Sequence, residues 1–256
     1  MQDGDIEGAL RVMAPKLPRA VRFRVENSLR HFDLAMPLLP IDREMASFRA
    51  ITGEEEAAAA LIKALQFRSY PHADRLSVKD HTHKAAVLAC ALAVKANMAT
   101  GLKNLRVMFD LKDPRIDVGI PVSDFGVTSP HMKDVVLQPV EPLDIVRAAP
   151  PGEDGTVLSR DFKKLAEGAK FAQIREMLRV HSNARNKLLY ASNKSLPRSR
   201  ATAQSISARR SNAMLLISIA IVALQTDRHQ ALLCEAIDGL LEVVRRLPLS
   251  ERSSST

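Results

Sequence analysis

The stretch "ITGEEEAAAALIKALQF" (51–67) decides the fold class. Alanine, leucine, glutamate and lysine lose little freedom on entering a helix, and no proline interrupts the run. Thr52 followed by Glu55 matches a capping box, in which the hydroxyl accepts a backbone N–H and the carboxylate reaches back. Glu54, Glu55 and Glu56 then fall in the first turn, where negative charge complements the helix dipole. The expectation is a helix that starts at Thr52, with "EEE" as its opening rather than a catalytic or metal-binding acid cluster.

Helical signals extend on both sides. Pro18 can open a helix through "RAVRFRVENSLRHFDLAM", which Pro37 and Pro40 stop. "KDHTHKAAV" (79–87) opens another, from about Lys79 to Thr100, with Asp80 as the N-cap. The character changes at 103–157, which holds seven of the fourteen prolines and four of the ten glycines. Three β-prone pieces lie there: "LRVMFD" (105–110), "RIDVGIPV" (115–122) and "DVVLQPV" (134–140). "APPGEDG" (149–155) reads as an exposed linker. Helix returns at 159–192, followed by a basic Ser/Arg-rich connector and two apolar helices near 203–225 and 227–247, read as an antiparallel hairpin.

The expected organisation is mainly α, a helical bundle with a small β-containing insertion. It divides into a helical part at 1–102, the proline-rich insertion at 103–157, a basic helical part at 158–247 and a disordered tail at 248–256. A chain of 256 residues can bury such a core without disulfides. Cys90 and Cys234 both sit in apolar helical runs and read as free buried thiols. The acidic N-terminus lacks the flank of a signal peptide. The most apolar run, Ala213–Leu224, is twelve residues long, against about 20 for a membrane span. It reads as a core helix of a cytoplasmic protein without a membrane partner.

The net charge of +8 is unevenly spread. Between Arg160 and Arg210 stand thirteen Lys and Arg against Asp161, Glu167 and Glu176, so that window carries +10 and the remainder −2. Such a surface suits a polyanion, RNA or DNA, and equally a solvated basic face. Arg179, Lys187, Lys194, Arg198 and Arg200 are the candidate contacts. Phe162, Phe171 and Tyr190 are the window's only rings, too few for a platform that stacks single-stranded bases.

Two stretches are candidate sites. In "KDHTHK", His81 and His83 lie about 200° apart around a helix, so they cannot share a metal there. A neutral histidine at a helix start is the first reading, and an anion site using Lys79 or Lys84 the second. In "RVHSNARNKLLYAS" (179–192), Phe171, Ile174, Leu178, His181, Arg185 and Leu188 form one helical stripe. An arginine on such a stripe either pairs with a carboxylate, for which 54–56 offers candidates, or holds a phosphate beside a histidine. No P-loop, dinucleotide fingerprint, G-x-S-x-G elbow or zinc-spaced Cys pair is present, and no cofactor is expected.

"RNKLLY" (185–190) resembles the RNxxxH signature of the HEPN superfamily of helical-bundle proteins, and "EEEAAAALIKAL" with the downstream "HTHK" is similar to HEPN-like abortive-infection proteins. The resemblance implies an RNA-acting protein of phage-defence or toxin type with metal-independent ribonuclease activity, working as a homodimer. Arg185 and Asn186 would hold phosphate, and the histidine would help a 2′-hydroxyl attack. Tyr190 occupies the histidine position here, and a phenol with a pKa near 10 is a poor base at neutral pH. His181, one turn before Arg185, is the expected substitute, with His81 and His83 as secondary candidates. The alternative is a non-enzymatic helical module that binds nucleic acid or protein.

Overall fold

A computed structural model of the protein describes residues 3–99, 104–126, 130–132, 135–144, 156–158, 176, 180, 185, 188–189 and 198–245. Six helices appear among them: α1 (Asp3–Met13), α2 (Arg19–Leu38), α3 (Arg43–Phe67), α4 (His81–Ala99), α5 (Ala203–Leu224) and α6 (Ala231–Arg245). A three-stranded antiparallel sheet, β1 (Arg106–Asp110), β2 (Arg115–Pro121) and β3 (Val136–Leu137), has β2 at its centre. The chain is thus a helical bundle with a small sheet inserted between α4 and α5, as its sequence pattern implies.

Helix α3 is the axis of the bundle, packed mainly against α2 and α5 and more lightly against α4. It begins nine residues before Thr52, because Asp42 caps it: the Asp42 carboxylate accepts from Met45 N at 2.8 Å. No breaker lies between Asp42 and Thr52, so the capping-box reading is corrected. The Thr52 hydroxyl instead donates to the Phe48 carbonyl inside the helix, at 2.8 Å. "EEE" therefore sits mid-helix. Ala57–Ala60 are buried together, all the way round the helix, because small side chains let neighbours close in from several directions.

At Gly53 the close approach of α2 becomes obligatory. A Cβ there would lie 2.7 Å from the ring of Phe32, itself buried in the core. Ser28 Oγ donates to the Gly53 carbonyl at 2.7 Å across the same crossing. Helix α5 starts in a capping box formed by Thr202 and Ser205. It buries Leu216, Ile217, Ala220 and Ile221 within the bundle. By length and composition α5 could cross a membrane, but its apolar residues are largely used in this core. Helix α6 lies chiefly against α4 rather than alongside α5, so the expected hairpin of two apolar helices is not the main packing contact.

Buried polar clasps fix the insertion to the bundle. Gln230, with no exposed surface, accepts from Leu143 N and donates to the Val222 carbonyl, each at 2.7 Å. Gln225 accepts from Ile116 N on β2 at 3.0 Å. Arg68, just past α3, donates to the Leu224 carbonyl at 2.9 Å and pairs with Asp227. On the opposite side, Glu7 of α1 accepts from Arg210 of α5 at 2.6 Å and from Arg11. Burial pushes the Glu7 carboxyl up, but these two guanidinium groups more than offset it and hold it below the usual carboxylate range. Both cysteines are free, and burial pushes the Cys90 thiol up to about 12, as suits an inert core position.

Two helical glycines, Gly8 and Gly53, make a paired prediction. Gly53→Ala should destabilise the protein by about 1–3 kcal/mol, because the added methyl meets the Phe32 ring. Gly8→Ala meets nothing within 4 Å and should raise stability by up to about 1 kcal/mol. Urea denaturation of both variants checks the contrast.

Candidate functional site

Successive residues on an α-helix point about 100° apart, so three consecutive glutamates on a central helix reach three different neighbours. Glu54 turns to α5, where Arg209 pairs with it and Asn212 Nδ2 donates to it at 2.8 Å. Glu56 turns to α2 and meets Arg24 at 3.3 Å. Glu55 turns to α4, and around it the candidate site assembles.

Four side chains form that site. His81 Nδ1 lies 2.8 Å from Glu55 Oε1. Lys84 Nζ donates to Glu55 Oε2 at 3.0 Å. Arg185 Nη1 stands 3.8 Å from the same oxygen, and its Nη2 stands 3.3 Å from His81 Nε2. The carboxylate only accepts and the guanidinium only donates. The imidazole between them turns Nδ1 to the Glu55 carboxylate and Nε2 to the Arg185 guanidinium. The site thus holds a histidine oriented by an acid on one nitrogen and covered by an arginine on the other.

Burial grades across the cluster. The Glu55 and Lys84 side chains are 10% and 11% exposed, whereas those of His81 and Arg185 are 29% and 31% exposed. The acid is inside, and the atoms able to meet a ligand face outward. One carboxylate stands against a lysine and an arginine, an excess of basic groups that favours an anion. Arg185 Nε is buried and has no hydrogen-bond partner among the described residues, so the guanidinium keeps donor capacity in reserve.

The predicted candidates fare differently. Arg185 and His81, 104 residues apart in sequence, come together. The expected pairing of Arg185 with an acid of 54–56 is realised on Glu55. His83 does not join them: its Nδ1 accepts from Ser77 N at 2.9 Å, a structural contact on another side of the helix start. Asp80 caps α4 as expected, accepting from Thr82 N at 2.7 Å and His83 N at 3.3 Å. Arg198 and Arg200 are exposed beside Ser199, whose N–H is held by Glu44 at 2.8 Å. Glu44 is eleven residues before Glu55, roughly 16 Å along α3, so these two arginines lie away from the cluster. Arg179, His181, Asn186, Lys187, Tyr190 and Lys194 lie outside the described residues.

Lys84 and Glu55 carry more of this site than their sequence context suggests. The signal available was the helix-start lysine next to His81 and the uncommon run of three acids. Among the described residues no group of three or more His, Cys, Asp and Glu side chains is arranged to hold a metal ion. Comparison of the chain with protein-family models, with curated proteins and with solved structures gives no match.

Burial ranks the three glutamates. Glu54→Gln removes a carboxylate 3% exposed and should cost about 3–5 kcal/mol, as for other buried pairs broken on one side. Glu56→Gln, in a pair whose side chains are 27% and 30% exposed, should cost less than about 1 kcal/mol. Thermal or urea unfolding of the two variants measures the difference.

Proposed function

We propose that this chain is an RNA-acting protein of HEPN-like type, whose metal-independent cleavage centre consists of Glu55, His81 and Arg185. The observation that carries the reading is the 3.3 Å approach of Arg185, first residue of "RNKLLY", to Nε2 of a histidine on another helix. In this reading His81 takes the part that Tyr190 leaves vacant and that His181 was expected to fill.

The chemistry follows from the donor set. A phosphodiester draws the Arg185 guanidinium toward its non-bridging oxygens, which uncovers His81 Nε2. That nitrogen takes the proton of a neighbouring 2′-hydroxyl as its oxygen attacks phosphorus. The bond to the 5′-oxygen breaks, and this oxygen takes a proton from solvent. The products are a 2′,3′-cyclic phosphate and a 5′-hydroxyl. Glu55 stabilises the imidazolium that forms, and Arg185 the charge that develops on the phosphoryl oxygens. Lys84 holds Glu55 in place while Arg185 moves.

A second reading has its own support. Both oxygens of Glu55 are already engaged by cationic or N–H donors of this chain, as in a structural clamp. On that reading the protein is a helical module that binds nucleic acid without cleaving it.

The test is incubation of the purified protein with end-labelled RNA at low salt in EDTA, beside Arg185→Ala and His81→Ala. The proposal expects cleavage to cyclic phosphate ends that falls about 10²-fold or more in each variant, with folding retained. Cleavage unchanged in Arg185→Ala overturns it. Binding without cleavage that weakens steeply with added salt supports the second reading.

A further inference from the structure

A second cationic group lies on the seam between α2 and α3. Among the described residues Arg49 of α3 makes one side-chain hydrogen bond, to His31 Nδ1 at 3.5 Å. Its Nε is buried with no hydrogen-bond partner among the described residues. Arg49 as a whole is half-buried, and a guanidinium with a buried nitrogen is normally matched by a carboxylate, because its desolvation is costly. Here none is: Arg30 and Arg49 make no ion pair with a described residue. Asp33, the next acid along α2, is turned toward Arg11 on α1, at 2.6 Å, and Arg210 on α5. His31 is 8% exposed, at the floor of the group, while Arg30 is exposed beside it.

Arg49 and His31 therefore meet, with Arg30 next to His31 in the chain, and no ion pair among the described residues balances either guanidinium. A tetrahedral oxyanion is the ligand that such a group lacks: it accepts from two guanidinium groups at once and offsets their mutual repulsion. We infer that Arg30, His31 and Arg49 form a phosphate-binding site on the α2–α3 seam, separate from the Glu55 cluster. The site is independent of the ribonuclease reading, since neither its residues nor its test involve Arg185 or His81.

The charge of His31 reports on occupancy. With the site empty, burial lowers the His31 pKa and the nearby Arg49 and Arg30 lower it further. Those two guanidinium groups are the charges that act on the ring, Arg30 from its own helix and Arg49 from α3. A bound dianion reverses their effect and favours the imidazolium. By linkage, binding then tightens as the pH falls through the His31 pKa.

The experiment follows the His31 ring signals by NMR in the full-length protein, assigned by their loss in His31→Asn. Inorganic phosphate, sulfate and a short 2′-O-methyl RNA are added in turn. Sulfate keeps its charge across the pH range and isolates the protonation of His31. The inference expects a saturable displacement and a His31 pKa raised by about one unit, with anion affinity about tenfold weaker in Arg49→Gln. Displacement by the RNA at lower concentration than by inorganic phosphate identifies a phosphodiester as the source; displacement by the inorganic anions alone identifies free phosphate. Both outcomes uphold the site. No saturable displacement with any of the three, or a response unchanged in Arg49→Gln, overturns it.

Discussion

The structure depends on neutralising three acids on one buried helix. Glu54, Glu55 and Glu56 leave α3 in three directions, and each finds its cation on a different neighbour: Arg209 on α5, Lys84 on α4, Arg24 on α2. An acidic side chain that is 3% or 10% exposed, as those of Glu54 and Glu55 are, is tolerable only with such partners. The requirement fixes the rotation of α3 about its axis, and hence which helix meets which. The alanines at 57–60 let the neighbours come close, but alanines alone would not specify an orientation. Charge supplies the register that a small-residue core lacks.

The functional proposal grows from an imbalance in that scheme. Glu54 and Glu56 each face one arginine, whereas Glu55 faces Lys84, Arg185 and an imidazole. Lys84, nearly as buried as Glu55, suffices to offset the acid. Arg185 is the surplus cation, more exposed and less tightly held, and it covers the histidine nitrogen that a base would use. The positive excess at 160–210 gives an anionic substrate a reason to approach. The seam group at His31 and Arg49 is a second place where cations outnumber acids, reached from the other side of α3.

Much of the fold was legible because it follows from local rules. Prolines and glycines marked the insertion, alternation marked its strands, and Asp80 marked the start of α4. The start of α3 was misread because Thr52 and Glu55 satisfy the capping pattern in composition, while the cap is decided by Asp42 and by helix-compatible residues between them. Glu54–Glu56 were read as the opening turn of a helix because a single sequence gives no sign of burial from three sides. For the site, Arg185 and His81 were each visible as unusual residues. Their meeting across 104 residues was not, since it depends on tertiary packing that brings Arg185 to the start of α4 beside Glu55. His31 and Arg49 gave no motif, because they stand on different helices and no sequence spacing links them.

The central claim is that Arg185 covers His81 Nε2 until a phosphodiester draws it away. The most direct measurement is the ring ¹⁵N signal of His81 during titration with a non-cleavable 2′-O-methyl RNA. His83 serves as the internal reference, since Ser77 holds its Nδ1. The account predicts a large change at His81 Nε2, none at His83, and no such change in Arg185→Ala. RNA that binds while His81 Nε2 stays unmoved would contradict it and leave the cluster as a structural clamp.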